Sequence, residues 1–304
     1  MSAVEVRALV KRFGSVSALN AVDLSIEPGT VFGVIGPNGA GKTTLMRLLL
    51  DIIRPTSGSM MVLGSDPRTG GAELRSRIGY LPGELKLEGR ITGRALLAYY
   101  ASISGTVQPG QIDRLAERLA LDLSRPVRTL SKGNKQKIGL VQAFMHRPPL
   151  LVLDEPTSGL DPLVQQEFLA MVTEAKNDGQ TVFLSSHVLS EIQQSADEVA
   201  ILRSGEVVSV SSVDALRETA VRDVRARFSG VSTSGVSTAM ASIANLSGLA
   251  VRERDHEIEL TGTITGPIDE FVKAIARFTV EDLSIEEPDL EESVLRLYRA
   301  TDAN

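Results

Sequence analysis

From Val4 to Ile26 apolar and polar positions alternate around a turn signal at Phe13-Gly14-Ser15, a period of two that predicts a few antiparallel strands. The run Val31-Phe32-Gly33-Val34-Ile35 is apolar throughout, as expected of a strand buried on both faces of a parallel sheet. A glycine-rich loop follows, and then a helix starting near Gly41. That helix carries Leu45, Leu48, Leu49 and Ile52 at helical spacing and ends at Arg54-Pro55-Thr56-Ser57-Gly58.

From about Glu84 to residue 145 the period becomes helical, with Leu96, Leu97 and Tyr100, then Ile112, Leu115 and Leu119, on repeating faces, and a further helix from Lys132. This predicts a helical subdomain inserted into the sheet domain. Next come an apolar strand, Leu150 to Leu153, a helix with Val164, Phe168, Met171 and Ala175, and a strand from Thr181. Strands and helices alternating in this way form right-handed β-α-β units, which place ligands at the carboxyl ends of the strands. A hairpin joined at Ser204-Gly205 closes the series, and residues 1–220 are read as one domain.

Beyond residue 220 strands at Val224 to Phe228, Leu249 to Val251 and Ile258 to Leu260 mix with helices carrying Val236, Met240 and Ile243, then Ile268, Phe271, Val272 and Ile275. A strand near Ile285 and a helix from Asp289, with Glu292 at capping-box spacing, complete the pattern. Residues 221–304 therefore read as a small α+β domain.

With 304 residues, 42% of them hydrophobic, the chain can fill two cores, which excludes a disordered protein. No run approaches the roughly 18 to 20 apolar residues of a membrane span, and the first residues lack a signal peptide's apolar core, so a cytoplasmic location is expected. The absence of cysteine agrees with that compartment. The net charge of -6 falls entirely in residues 221–304, and the first 220 residues balance. There is no basic stripe for nucleic acid and no polybasic anchor for lipid.

Gly36-Pro37-Asn38-Gly39-Ala40-Gly41-Lys42-Thr43, followed by Thr44, lies between the buried strand and the helix and fits the phosphate-binding loop pattern. Glycines let backbone N–H groups approach phosphate oxygens, and the helix amino end adds partial positive charge. Lys42 would meet the β- and γ-phosphates, and the Thr43 hydroxyl can ligate Mg²⁺. Asp154 and Glu155 end the strand from Leu150. Asp154 is expected to hold Mg²⁺ through water, and Glu155 to orient or deprotonate the attacking water. The plainer readings are a glycine turn and a pair of helix-capping acids, and they lose ground because the two segments occur together in the right flanking elements.

These segments resemble the Walker A and Walker B motifs of the ABC ATPase family, and residues 1–220 follow that family's order. Leu130-Ser131-Lys132-Gly133-Asn134-Lys135-Gln136 is similar to its signature motif, Ser158-Gly159-Leu160-Asp161 to its D-loop, His187 to its switch histidine and Phe13 to its adenine-stacking aromatic. A kinase or GTPase would share the phosphate loop but not the second glycine-containing helix start. The resemblance implies an α/β cassette of the P-loop NTPase class, with a mixed central sheet, an antiparallel amino-terminal β part and the inserted helices. It implies ATP and Mg²⁺ as ligands and hydrolysis to ADP and phosphate. It also implies a dimer with a second ATPase subunit, expected to be an identical chain, in which Ser131, Lys132, Gly133 and Asn134 meet the nucleotide of the opposing subunit, with Asp161 in the D-loop.

Two departures stand out. Where the family commonly has a Q-loop glutamine, this chain has Gly83 followed by Glu84, which is considered as a substitute metal ligand, and the signature has Lys132 and Asn134 where Gly and Gln are commoner. Residues 221–304 resemble the accessory domain of bacterial ATPases that pair with ABC-2 type export permeases, including drug and antibiotic efflux systems. The resemblance therefore implies a subunit held at the inner face of the membrane by a separate permease. The competing readings are a soluble ABC ATPase acting on ribosomes or DNA, which usually carries two cassettes or a long coiled-coil insertion, and an ATP sensor without turnover, against which Glu155 argues. His146 and His256 have no metal-spaced partners and receive no role.

Overall fold

The computed structural model describes residues 2–218, 221–254 and 257–286. The chain divides into two compact units, Met1–Ser211 and Ser212–Asn304, and each is described by itself.

In the first unit β1 (Val4–Phe13) pairs antiparallel with β2 (Val16–Ile26) on one side and β4 (Ser57–Val62) on the other. The alternating pattern had announced β1 and β2. It had not announced β4, whose first residues Ser57-Gly58 read as part of the stretch ending the helix; the strand pairs with β1, and Gly58, at φ +88, permits an approach so close that a Cβ would stand 2.4 Å from the Ala8 carbonyl oxygen. β3 (Val31–Ile35) is buried along its whole length at the centre of a six-stranded sheet. In chain order the elements that follow are α1 (Lys42–Leu49), α2 (Pro67–Ser76), β5 (Ile78–Leu81), α3 (Gly93–Ile103), α4 (Gln111–Arg118), α5 (Lys132–Phe144), β6 (Leu150–Asp154), α6 (Pro162–Asn177), β7 (Thr181–Ser186), α7 (Leu189–Ser195), β8 (Glu198–Arg203) and β9 (Glu206–Ser212). The large sheet runs β5-β6-β7-β3-β8-β9, and its pairs β5/β6, β6/β7, β7/β3 and β3/β8 are parallel.

Leu45, Met46, Leu48 and Leu49 of α1 are all fully buried, in one core with Val6 and Leu24 from the small sheet and Phe32, Val152 and Phe183 from the large one. A helix apolar on several faces belongs inside a core. Each such side chain contributes about 1.5–3 kcal/mol of burial, enough to hold the amino end of α1 against the strand ends. Ile52 corrects the sequence reading: α1 stops at Leu49, Asp51 turns at φ +54, and Ile52 is 54% exposed. Between β5 and β6 the chain makes helices only. Leu97, Leu115 and Leu119 are buried there, as their spacing predicts.

The second unit opens with α8 (Val213–Glu218). β10 (Val221–Ser229), β11 (Leu246–Arg254), β12 (Glu257–Thr265) and β13 (Thr279–Glu286) form an antiparallel sheet in the order β11-β12-β10-β13. α9 (Thr233–Met240) and α10 (Asp269–Ile275) supply Val236, Met240, Phe271 and Ile275 to a core with Phe228 and Leu260. On the sheet Arg227 of β10 pairs with Glu257 of β12 and Asp282 of β13 at 3.3 Å. The helix expected from Asp289, and His256, lie outside the described residues. Among the described residues no helix is long and apolar enough to cross a membrane.

Candidate nucleotide-binding site

Strand register levels the site. Ile35 of β3 lies beside Ser186 of β7, and Asp154 of β6 lies beside Ser185. The loop after Ile35, the acids ending β6 and the residue after β7 therefore meet at one sheet edge. Two glycines make the loop possible: a Cβ on Gly36 would stand 2.1 Å from the Leu202 carbonyl oxygen, and Gly41, at φ +111, would meet that of Ala18 at 2.7 Å. Gly41 caps α1 without a side-chain hydrogen bond, and no acid occupies the first turn. The first N–H groups of α1 are thus left for an anion. Ala18, Lys42, Thr43, Thr44 and Glu155 line an open cavity of about 190 Å³ there.

Lys42 is 6% exposed, donates to the Gly36 carbonyl and lies 3.6 Å from Glu155 Oε1. The other carboxylate oxygen, Oε2, is 2.6 Å from His187 Nδ1. Glu155 has a left-handed backbone, φ +49, a conformation that costs a non-glycine residue about 1–3 kcal/mol and persists only where its surroundings enforce it. Here they do: its N–H donates to Ser185 Oγ at 3.0 Å, and its carbonyl accepts from Gln136 Nε2 at 3.2 Å and from the Ser158 N–H at 3.1 Å.

Asp154 is fully buried. Ser185 Oγ donates to its Oδ1 at 2.6 Å, and Oδ2 has no hydrogen-bond partner. A buried acid oxygen without a donor is costly unless a cation or water completes it. The backbone of Gly83 passes so close that a Cβ there would stand 3.0 Å from Oδ2. An open carboxylate oxygen beside a position without a side chain fits Mg²⁺, which takes one or two carboxylates together with phosphate oxygens.

The remaining expected site residues are placed as follows. Glu84 is corrected as a metal ligand: its side chain is 79% exposed and pairs with Lys86 at 3.6 Å, because the chain turns outward after Gly83. Asp161 caps α6 by accepting from the Val164 N–H at 3.1 Å. Ser131 caps α5, accepting from Asn134 N–H at 3.3 Å, so that donor is engaged within its own helix. Lys132 donates to Ser158 Oγ at 3.2 Å, and Gly133 packs so closely on Gly159 that a Cβ would stand 2.6 Å from its carbonyl oxygen. Phe13 is half exposed at the end of β1. Sequence reasoning gave Ser185 no role and named Gln136 only as the end of the signature-like segment; the available signal for Ser185 was a serine pair closing the strand from Thr181.

A family model described as ABC transporter matches residues 19–158. An uncharacterized ABC transporter ATP-binding protein of a Nostoc species is 39% identical over 208 residues, 66% of this chain and 62% of its own length, so the chain spans less than two thirds of that relative. The bacitracin transport ATP-binding protein BcrA of Bacillus licheniformis is 36% identical, over 69% of this chain and 70% of its own. A solved ATP-binding subunit of an ABC transporter superposes with a TM-score of 0.66 at 30% identity, covering 71% of this chain and 92% of that one. Motif order, strand-end geometry and these likenesses agree, and the chain belongs to the ABC transporter family, among its ATP-binding proteins.

Proposed function

We propose that this chain hydrolyses ATP to ADP and phosphate with Mg²⁺, and that two copies drive export through a separate ABC-2 type permease. The observation that carries the catalytic part is the Glu155 carboxylate, set between Lys42 at 3.6 Å and His187 at 2.6 Å beside an uncapped helix start. In this reading the N–H groups of α1 and the Lys42 ammonium hold the β- and γ-phosphates, and Phe13 stacks on adenine. Thr43, and Asp154 through water at its open Oδ2, would hold Mg²⁺, which would neutralise charge on the phosphate oxygens. Glu155 Oε2 receives the proton of the attacking water or orients that water, and His187 keeps the carboxylate aimed. Gln136 and Ser185 fix the backbone that presents it.

Export is supported by the relative named for bacitracin transport, and the permease would carry the specificity. Ser131 to Asn134 then face the nucleotide of the second copy, and the pair sits at the inner face of the membrane. The test has two arms. The purified chain is assayed for Mg²⁺-dependent phosphate release, and its tagged form is used to capture a polytopic membrane protein from native membranes. No phosphate release by either the chain or the captured complex removes the enzymatic reading. Release without any membrane partner removes the transport reading.

A further inference from the structure

The tip of the β1–β2 hairpin carries a cation that the nucleotide reading leaves unused. Phe13 pairs with Val16 across Gly14-Ser15 and is 50% exposed, so its ring has little packing to fix it. Lys11 lies two positions back on the strand, and its Nζ stands 4.7 Å from the Phe13 ring centroid. The same Nζ donates to the Arg54 carbonyl at 2.7 Å. That carbonyl belongs to a segment tied to β1 by two further bonds, Thr56 N–H to the Val10 carbonyl at 2.8 Å and Arg12 N–H to Thr56 Oγ1 at 2.9 Å. The ammonium is therefore held from a third segment and placed over the ring.

We infer that Lys11 is a positioning residue for the nucleotide base: it covers one face of Phe13, fixes the ring and leaves the opposite face for a purine. This rests on the reading of Phe13 as the base platform. Val16, opposite Phe13, lies two residues from Ala18, which lines the phosphate cavity. At about 3.3 Å per strand residue Val16 stands roughly 7 Å along β2 from Ala18, and Phe13 is one strand spacing across from Val16, which puts the platform on the hairpin that borders the phosphate cavity. A cation within about 6 Å of a ring centroid is attracted to its face, and a platform ordered before binding spares the ligand that cost.

The test compares equilibrium binding of ATP and of inorganic tripolyphosphate, which has no base, to the full chain. Lys11→Ala is expected to weaken ATP about two- to fivefold, the size of an exposed cation–ring contact, and to leave tripolyphosphate unaffected. Lys11→Arg should retain ATP affinity, and Lys11→Ala should add nothing in a Phe13→Ala background. The inference is overturned if Lys11→Ala binds ATP as the wild type does, if tripolyphosphate weakens equally, or if the losses at positions 11 and 13 add. A wild-type chain that binds tripolyphosphate but not ATP would instead overturn the base-platform reading, and one that binds neither would overturn the nucleotide site itself.

Discussion

A methyl carbon placed on Gly83 would stand 3.0 Å from Oδ2 of Asp154, the carboxylate oxygen that no hydrogen bond reaches. The position where the family commonly carries glutamine thus borders the expected metal site, and its lack of a side chain leaves room there. Gly83→Ala is expected to raise the Mg²⁺ concentration for half-maximal hydrolysis by roughly fivefold to a hundredfold, since crowding a packed site costs about 1–3 kcal/mol. A Mg²⁺ titration of hydrolysis and of ATP binding checks this. An unchanged midpoint in both would show that the space beside Oδ2 is not used by the metal.

Glu155→Gln keeps the shape of the side chain and removes its charge. Hydrolysis should fall by roughly 10² to 10⁴, the contribution of a positioned base, with ATP still bound. Turnover within a few-fold of wild type would discard the assignment.

Lys42→Ala removes the ammonium held at the Gly36 carbonyl and 3.6 Å from Glu155. Nucleotide binding is expected to be lost in direct titration. Affinity equal to that of the wild type would count against the site as a whole.

His146 gives a prediction about stability. It is 8% exposed and neither ring nitrogen has a well-formed hydrogen bond, so burial holds its pKa below the ordinary 6.5, with backbone groups of Ile78 and Gln142 offsetting this in part. The folded chain then binds fewer protons here than the unfolded chain. The stabilising contribution is complete above about pH 6.5 and is lost as pH falls from there through the lowered folded value. Unfolding free energies from urea titrations between pH 7.5 and 5.5 should decline, at up to about 1.4 kcal/mol per pH unit for this group, and His146→Met should flatten the decline. Parallel slopes in the two proteins would refute it.

The sequence by itself determined the chemistry that is local. The loop ending in Lys42 needs glycines at fixed offsets, the run Leu150 to Asp154 has to end at a parallel-sheet edge, and both are written in consecutive residues. Apolar runs gave β3, β6 and β7, and the helical period gave α5, for the same reason. What the tertiary structure decided depends on segments far apart in the chain. The register of β6 on β7 puts Ser185 on Oδ1 of Asp154 and leaves Oδ2 open, the close approach of Gly58 to Ala8 makes a strand of a turn-like stretch, and the outward turn after Gly83 carries Glu84 to Lys86. A pattern of residue types specifies which face a side chain takes, but hydrogen bonds and open space are set by what packs against it.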